Sequence, residues 1–197
     1  MNKHVSREPL VKALSGHWAK HRLFFAFFPP PLVARRIARW AERFGTHAAF
    51  VDADRLHVTL DILDDFKAFP CDVAEKLFAI GASVAADPFL VEFDQVSAGG
   101  GSIALRSRLK NSAMQRLAAG IVSARIQTGL AGRVGYRFNP HLTLLYREQS
   151  PFTQTITPFA WEVRRFTLTH SLLGHTKYET LGAWEFKGAN DRQYGLF

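Results

Sequence analysis

Cysteine is nearly absent from the sequence, which has Cys71 and no other cysteine in 197 residues. A single thiol excludes an intrachain disulfide and favours a reducing cytoplasm as the location. Cys71 follows Pro70 in a predicted loop with no histidine nearby, and the chain has no G-x-S-x-G motif. The sequence therefore gives no sign of a cysteine or serine nucleophile.

Long apolar runs are also missing. The most apolar stretch, LFFAFF at 23–28, ends in three prolines. It is far shorter than the roughly 20 residues that span a bilayer. A long mixed-charge stretch precedes it and no small-residue cleavage site follows, so it does not resemble a signal peptide. We expect no membrane association.

The sequence lacks compact patterns for phosphate loops and metals as well. The glycines at 99–101 are not followed by Gly-Lys-Ser or Gly-Lys-Thr, and we interpret them as the tip of a hairpin. Asp61 is predicted to share a strand face with His57, yet no compact group of three or four ligands accompanies it. We expect neither a metal nor another cofactor.

Positive charge is what the chain has in excess. The formal net charge is +8, while 47% hydrophobic and 21% charged residues are ordinary for a globular protein. Most of the excess comes from arginine, whose planar fork suits phosphate oxygens. General solubility explains the charge equally well, so charge alone indicates a nucleic acid or phosphate partner only weakly.

The apolar periodicity predicts an α+β fold with a mainly antiparallel sheet. Residues 1–21 are predicted to be an N-terminal tail, and 22–197 a single two-lobed domain, which we expect to be monomeric. The predicted elements are a buried strand at 22–28, a helix from Pro30 or Pro31 to Gly45, a strand at 55–63, a helix from Asp72 to Ala86, a hairpin around 99–101, a helix from Asn111 or Ser112 to Thr128 with Met114, Leu117, Ile121 and Ile126 inside, a strand HLTLLY, and a closing hairpin from AWEVRRFTLTHSLL and YETLGAWEF.

Two predicted strands carry the same polar pattern. LHVTL contains His57 and Thr59, and PHLTL contains His141 and Thr143. Side chains alternate along a strand, so each histidine shares a face with its threonine while the leucines and valine point the other way. A lone motif would more often be a structural histidine. Two in matching apolar settings favour catalysis.

This set of side chains suits phosphate chemistry. One imidazole can accept a proton and another donate one near neutral pH. A threonine hydroxyl beside each ring can hydrogen-bond a phosphate oxygen. Two such pairs facing each other would hold one phosphate between an attacking water and an in-line leaving oxygen.

Four segments, RLFFAFFPP, LHVTL, PHLTL and SLLGHTKYETLGAWEF, resemble the two-histidine phosphoesterases. The chain is most similar to the bacterial RNA 2',3'-cyclic phosphodiesterases, also called 2'-5' RNA ligases, from about residue 22 to 186. The resemblance implies two related lobes with mainly antiparallel sheets around a central cleft and helices outside.

The resemblance also implies roles for the motif residues. His57 corresponds to the general acid and His141 to the general base, while Thr59 and Thr143 hold the phosphate. The implied reaction is metal-independent opening of a 2',3'-cyclic phosphate, on RNA ends or nucleotides, to a 2'-phosphate. Reversible 2'-5' RNA ligation would use an RNA 5'-hydroxyl in place of water.

The sequence departs from many relatives after the second motif. They carry an arginine three residues after the second threonine, where this chain has Tyr146 followed by Arg147. Strict alternation would point Tyr146 away from the His141 face unless the strand bulges or ends there. Either residue remains a candidate for phosphate binding.

Two other functions stay open. One is a non-catalytic RNA-binding module, and the other is an enzyme of the same fold acting on another cyclic phosphodiester, such as an ADP-ribose cyclic phosphate. Arg106 and Arg108 share a strand face and could contact RNA, although a solvated strand end is the simpler interpretation. Phe138 and Tyr178 could stack on a base, although core packing is favoured.

Overall fold

The computed structural model describes residues 20–45, 48–175 and 177–187. Most of the predicted tail therefore lies outside the described residues. Within them the elements are β1 (His21–Phe27), α1 (Pro31–Ala41), β2 (Ala49–Phe50), β3 (Val58–Ile62), α2 (Cys71–Ser83), β4 (Phe89–Gly99), β5 (Ser102–Arg106), α3 (Ser112–Gln127), β6 (Leu142–Tyr146), β7 (Phe152–Val163), β8 (Arg165–Leu172) and β9 (Lys177–Glu185), with short 3₁₀ turns at Glu42–Phe44 and Ala53–Arg55.

The strands form two antiparallel sheets, which confirms the predicted two-lobed α+β architecture. The first sheet has the order β3-β1-β8-β9 and the second has β2-β6-β5-β4-β7. The first sheet thus combines strands from both ends of the chain. The second is built from the middle of the chain with β2 added at its edge.

Strand β1 lies inside the first sheet, between β3 and β8. Both of its faces are buried, with Leu23, Phe25 and Phe27 on one face and Phe24 and Ala26 on the other. A strand covered on both faces needs apolar residues at every position, which explains the continuous LFFAF run. The predicted buried strand is confirmed.

Helix α1 begins at a proline, whose missing N–H is harmless in a first turn. Ala34, Ile37 and Ala41 are buried where α1 packs on β6 and β7 of the second sheet. The chain then tightens into the 3₁₀ turn and leaves it at Gly45, which has a φ of 100°. That conformation favours glycine and ends the helix where the sequence predicted.

Helices α2 and α3 pack on the first sheet and on each other. Asn111 caps α3 by accepting a 3.0 Å hydrogen bond from the Met114 N–H, as predicted. Two expectations were wrong. Pro70, not Asp72, stands at the start of α2, which ends at Ser83. Ile126 is 64% exposed, and Arg125, whose guanidinium pairs with Asp61, is buried in its place.

The prediction of the closing hairpin was correct for the pairing of β8 with β9 but wrong for the residues before β8. Residues 160–163, predicted to open the same strand as 165–172, end β7 in the second sheet. A single residue, Arg164, separates them from β8 in the first sheet. The sequence shows no turn residue at this point, and only the pairing of β7 with β4 and of β8 with β1 reveals the change of sheet.

Candidate active site

The two histidine–threonine motifs lie in different sheets. Thr59 belongs to β3 of the first sheet, and Thr143 to β6 of the second. Each strand begins one residue after its histidine, so His57 and His141 stand at the strand entrances and not within the strands as predicted. The segment before His57 is hydrogen-bonded to β6 through Val51 and Leu144, and the segment before His141 is hydrogen-bonded to β3 through Arg133 and Ile62. The structure therefore brings the two motifs together.

The motif strands are matched in register. Thr59 lies across from Ala26 of β1, and Thr143 lies across from Ala104 of β5. Both threonines are half-buried, whereas the alternate positions are fully buried. A methyl side chain opposite each threonine leaves room in front of its hydroxyl. This confirms the division into a polar face and an apolar face.

Both motif strands bulge at the residue after the threonine. Thr59 and Asp61 pair with consecutive residues of β1, which leaves Leu60 as the extra residue. In the same way Thr143 and Leu145 pair with consecutive residues of β5. A bulge re-aims the side chains that follow it by one position. The residue three places after each threonine therefore returns to the polar face.

The bulge places Tyr146 on the Thr143 side. Its side chain is 60% exposed, and it adds to the raised pKa of Tyr178, which results mainly from burial. Arg147 points elsewhere, because its Nη1 donates a 2.5 Å hydrogen bond to the Phe44 carbonyl at the end of the 3₁₀ turn that follows α1. Of the two candidates, the structure brings Tyr146 to the site and takes Arg147 away from it.

The two imidazoles are oriented in the same way. The Nδ1 of His57 lies 2.7 Å from the Arg55 carbonyl, and the Nδ1 of His141 lies 2.7 Å from the Asn139 carbonyl. A carbonyl oxygen accepts only, so each Nδ1 must carry the proton. In the neutral rings Nε2 is then the free acceptor. Each lobe thus presents a base of defined tautomer beside a hydroxyl.

Both histidines are neutral in the free protein at neutral pH. Burial lowers the pKa of His57 to about 4, assisted by the charges of His141 and Arg55 and opposed by the Arg55 carbonyl. Burial also lowers the pKa of His141, with Arg106 assisting and the Asn139 carbonyl opposing. A bound phosphate would reverse this effect, since an anion beside an imidazole favours its protonated form.

The surroundings of the two rings differ. His57 is enclosed by three aromatic rings, those of Phe24, Phe28 and Tyr178, at centroid distances of 5.0, 5.7 and 5.4 Å. The Arg55 guanidinium lies over the Tyr178 ring at 4.8 Å. Core packing was the favoured interpretation for Tyr178, but the structure places it beside a motif histidine.

Asp61 does not lie on the His57 face. The bulge turns its carboxylate toward α3, where it is 1% exposed and accepts a 2.5 Å hydrogen bond from the Arg125 Nε. Burial raises the pKa of Asp61, and Arg125 opposes this. The predicted shared face was wrong because alternation fails at a bulge.

Within residues 20–45, 48–175 and 177–187, no three His, Cys, Asp or Glu side chains are grouped to hold a metal ion.

Each motif strand is bordered by the segment that leads to the other motif. The Val51 N–H donates a 2.8 Å hydrogen bond to the Leu144 carbonyl of β6, six residues before His57. The Arg133 N–H donates a 2.9 Å bond to the Ile62 carbonyl of β3, eight residues before His141. The two connecting segments therefore reach across to the opposite lobe, where one bonds to β6 just beyond β2 and the other bonds to the outer edge of β3.

A cavity of about 810 Å³ lies beside the His57 end of the site. Phe28 and Tyr178 contribute to its wall together with prolines 29–31, Arg35 and Asp54. Its volume is in the range of small-molecule sites. Phe138, the other candidate for base stacking, packs against the hydrophobic core and lines a separate cavity behind β3.

Sequence reasoning missed Phe24, Phe28 and Arg55 and gave too little weight to Arg106. The signal for the first two was present, because alternation from Ala26 places them on the polar face once β1 and β3 are known to pair.

In the part of the chain that the structure describes, no helix is long and apolar enough to cross a membrane.

Comparison with solved structures defines the fold as that of LigT. E. coli LigT complexed with 3'-AMP has a TM-score of 0.72 at 23% sequence identity, covering 85% of this chain and 99% of LigT. The protein TT0787 of Thermus thermophilus has a TM-score of 0.70 at 21% identity, with the same coverage. A crystal structure described as a phosphoesterase has a TM-score of 0.72 at 24% identity, again with that coverage.

The family follows from the sequence itself. Residues 28–175 match the 2'-5' RNA ligase superfamily, and the chain belongs to this family. The recognised resemblance to two-histidine phosphoesterases is thereby confirmed. None of the curated proteins compared with the chain matches it.

Proposed function

We propose that this protein hydrolyses the 2',3'-cyclic phosphate of RNA ends or nucleotides to a 2'-phosphate, using His57 and His141. One observation carries the proposal: both lobes fix Nδ1 on a carbonyl two residues upstream and leave Nε2 free beside a threonine. Such duplication has little structural purpose but suits a reaction that needs a base on one side of a phosphorus and an acid on the other.

The chemistry follows from this arrangement. Nε2 of His141 accepts a proton from water as the water oxygen bonds to phosphorus. The bond from phosphorus to the 3'-oxygen breaks, and Nε2–H of protonated His57 gives that oxygen its proton. Thr59 and Thr143 donate hydrogen bonds to the non-bridging oxygens. Replacing water by an RNA 5'-hydroxyl would give 2'-5' ligation, because the same bond to the 3'-oxygen breaks and phosphorus stays on the 2'-oxygen.

The charges near the two rings favour the unprotonated resting form of both. Arg106 disfavours a positive charge on His141, and Arg55 and His141 disfavour one on His57, so the assignment of acid and base follows the family resemblance. His57 must gain a proton before it acts as the acid, and the substrate's negative charge favours that gain. The LigT structures solved with 3'-AMP and with phosphate support a nucleotide or phosphate ligand for this fold.

Substitution of each histidine tests the proposal. His57→Ala and His141→Ala should each lower the rate of cyclic-phosphate hydrolysis by about 10²–10⁴-fold, the usual contribution of a general acid or base. His175→Ala is the matched control, because His175 is exposed in the turn before β9. Undiminished hydrolysis in either motif variant would rule out the two-histidine mechanism.

A substrate panel separates the remaining alternatives. Nucleoside 2',3'-cyclic phosphates, cyclic-ended RNA oligomers and ADP-ribose cyclic phosphate should be incubated with the protein in the presence of a chelator, and the products identified. We expect 2'-phosphate products from the RNA-type substrates. Binding of RNA without turnover would instead identify a non-catalytic module, and turnover of ADP-ribose cyclic phosphate alone would identify a different substrate class.

A further inference from the structure

Arg106 stands at the end of β5, on the same face as Ala104 and Thr143. Register pairs Ala104 with Thr143 and Leu105 with Leu142, so Arg106 continues the pairing beside His141. Side chains two residues apart on a strand share a face. Its charge reaches the imidazole, because Arg106 is one of the causes that lower the pKa of His141. Arg106 is therefore a neighbour of the reacting group and not a solvated strand end.

The guanidinium is held in place by two neutral acceptors. Its Nε donates a 2.9 Å hydrogen bond to the Ser97 hydroxyl, and its Nη1 donates a 3.1 Å bond to the Asn139 side-chain oxygen. An arginine has five N–H donors, so three remain for a ligand. Two fixed donors give the fork an orientation without neutralising its charge.

Arg106 has no carboxylate partner among the described residues. Across residues 20–45, 48–175 and 177–187, Arg106 forms no ion pair, whereas seven arginines do: Arg22, Arg55, Arg108, Arg125, Arg133, Arg164 and Arg165. An oriented cation without a counter-ion, beside a base of fixed tautomer, is suited to receive an anion.

The corresponding place in the first lobe holds no charge. Ala26 pairs with Thr59 as Ala104 pairs with Thr143, so Phe28 corresponds to Arg106. The Phe28 ring lies 5.7 Å from that of His57. The two lobes thus have the same histidine, threonine and alanine at corresponding positions. They differ at the next position, where the first lobe has the phenyl ring of Phe28 and the second has the guanidinium of Arg106. The difference gives the site a cationic side and an aromatic side.

We propose that Arg106 is a phosphate-binding residue of this site, donating from its remaining N–H groups to the non-bridging oxygens of a phosphate held beside His141. The identity of the substrate rests on the proposed function, whereas phosphate binding by Arg106 does not. The same charge adds to burial in favouring the unprotonated form of the His141 imidazole until the anion arrives. Phosphate binding and the protonation state of His141 are then both influenced by the Arg106 side chain.

Binding of inorganic phosphate tests the proposal without requiring turnover. Calorimetric titration at pH 7 should give a Kd about 10- to 100-fold weaker for Arg106→Gln than for the unmodified chain, as expected for loss of a charge-assisted contact. Arg106→Lys should fall between the two, since lysine supplies the charge but not the fork. Arg116→Gln, an exposed site on α3 with the same charge change, is the control.

Histidine NMR provides a second readout that a merely structural role would not change. The pKa of His141 should rise in Arg106→Gln and stay unchanged in Arg116→Gln. Phosphate affinity of Arg106→Gln within two-fold of the unmodified chain, or an equal loss in Arg116→Gln, would overturn the proposal. If the glutamine variant does not fold, Arg106→Lys decides, because phosphate affinity equal to that of the unmodified chain would contradict bidentate binding.

The two proposals fail separately. A chain that binds phosphate through Arg106 but hydrolyses no cyclic phosphate would contradict the proposed function and leave the Arg106 site standing. If the protein hydrolyses cyclic phosphates and Arg106→Gln is as active as Arg116→Gln, the proposed function stands and the role of Arg106 is contradicted.

Discussion

The Tyr136 hydroxyl donates a 3.2 Å hydrogen bond to the backbone carbonyl of Thr59. This contact joins the segment after α3, which leads to His141, to the motif strand of the other lobe. Burial, assisted by the nearby Asp61 carboxylate, raises the pKa of Tyr136, so the phenol keeps its proton and remains a donor at ordinary pH. One hydroxyl thus helps to set the position of the Thr59 strand relative to the second motif.

Tyr136→Phe should weaken catalysis more than its cost in stability suggests. Losing one hydrogen bond should lower the free energy of unfolding by about 1 kcal/mol. Because reacting groups must be aligned to within an ångström, we also expect kcat to fall several-fold with KM nearly unchanged. Urea unfolding and steady-state kinetics on a nucleoside 2',3'-cyclic phosphate measure the two effects. Unchanged kcat would show that the contact is structural only.

The two threonines should contribute through the transition state. Thr59→Ala and Thr143→Ala each remove one oriented donor, and such losses typically reduce kcat by about 10²–10³-fold. Because the strands keep their apolar faces, the unfolding free energy should change little. Thr155→Ala on the exposed part of β7 serves as a control for the substitution itself. Equal kcat in the three variants would contradict the proposed role.

The buried Asp61–Arg125 pair makes a sharp prediction about stability. Arg125 also donates a 2.8 Å hydrogen bond to the Leu130 carbonyl, which anchors the segment after α3. Arg125→Met leaves a buried carboxylate unpaired and should cost about 3–5 kcal/mol. The double variant Asp61→Leu with Arg125→Met should recover much of this, because Leu145 is the corresponding residue in the other lobe. A double variant as unstable as the single one, by urea unfolding, would contradict this.

A second pair of histidines should govern part of the pH dependence of stability. Nδ1 of His21 lies 3.0 Å from Nε2 of His170 on the helix side of the first sheet, with Glu179 3.6 Å from His170. Burial lowers the pKa of both rings, His21 lowers that of His170 further, and Glu179 opposes. The unfolded chain takes up protons near pH 6.5 that the folded chain resists, so stability is full above that pH and is lost as pH falls.

Unfolding in urea at pH 7.5, 6 and 5, followed by tryptophan fluorescence, measures this slope. His21→Leu with His170→Leu should flatten it. His57 and His141, whose pKa values are also lowered, should contribute to the slope that remains. A slope unchanged in the double variant would show that the buried pair does not titrate differently on folding.

Local patterns in the sequence were sufficient for much of the fold. The continuous apolar run predicted β1, and Asn111 predicted the start of α3. The glycines at 99–101 predicted the hairpin, where Gly100 and Gly101 have φ values of 59° and 79°. In each case a short stretch of chain contains the physical cause of the structure, whether burial on both faces, a capping side chain or a turn that favours glycine.

Other features depend on contacts between distant segments and could not be predicted in this way. The bulges at Leu60 and Leu144 arise from pairing with β1 and β5, and they reverse the predicted facing of Asp61 and Tyr146. The passage from β7 to β8 at Arg164 depends on a second sheet being present. Arg106 comes to lie beside His141 only because β5 pairs with β6. The motifs were visible in sequence, but the surroundings that distinguish them were not.

The crossing of the two connecting segments has a mechanical consequence. The Val51 N–H is hydrogen-bonded to β6, and the Arg133 N–H is hydrogen-bonded to β3. Each connecting segment is therefore attached through its backbone to the lobe that contains the other motif. Moving the histidines apart would break these bonds together. The spacing that an in-line displacement demands is thus built into the path of the chain, and substrate need not draw the lobes shut to create it.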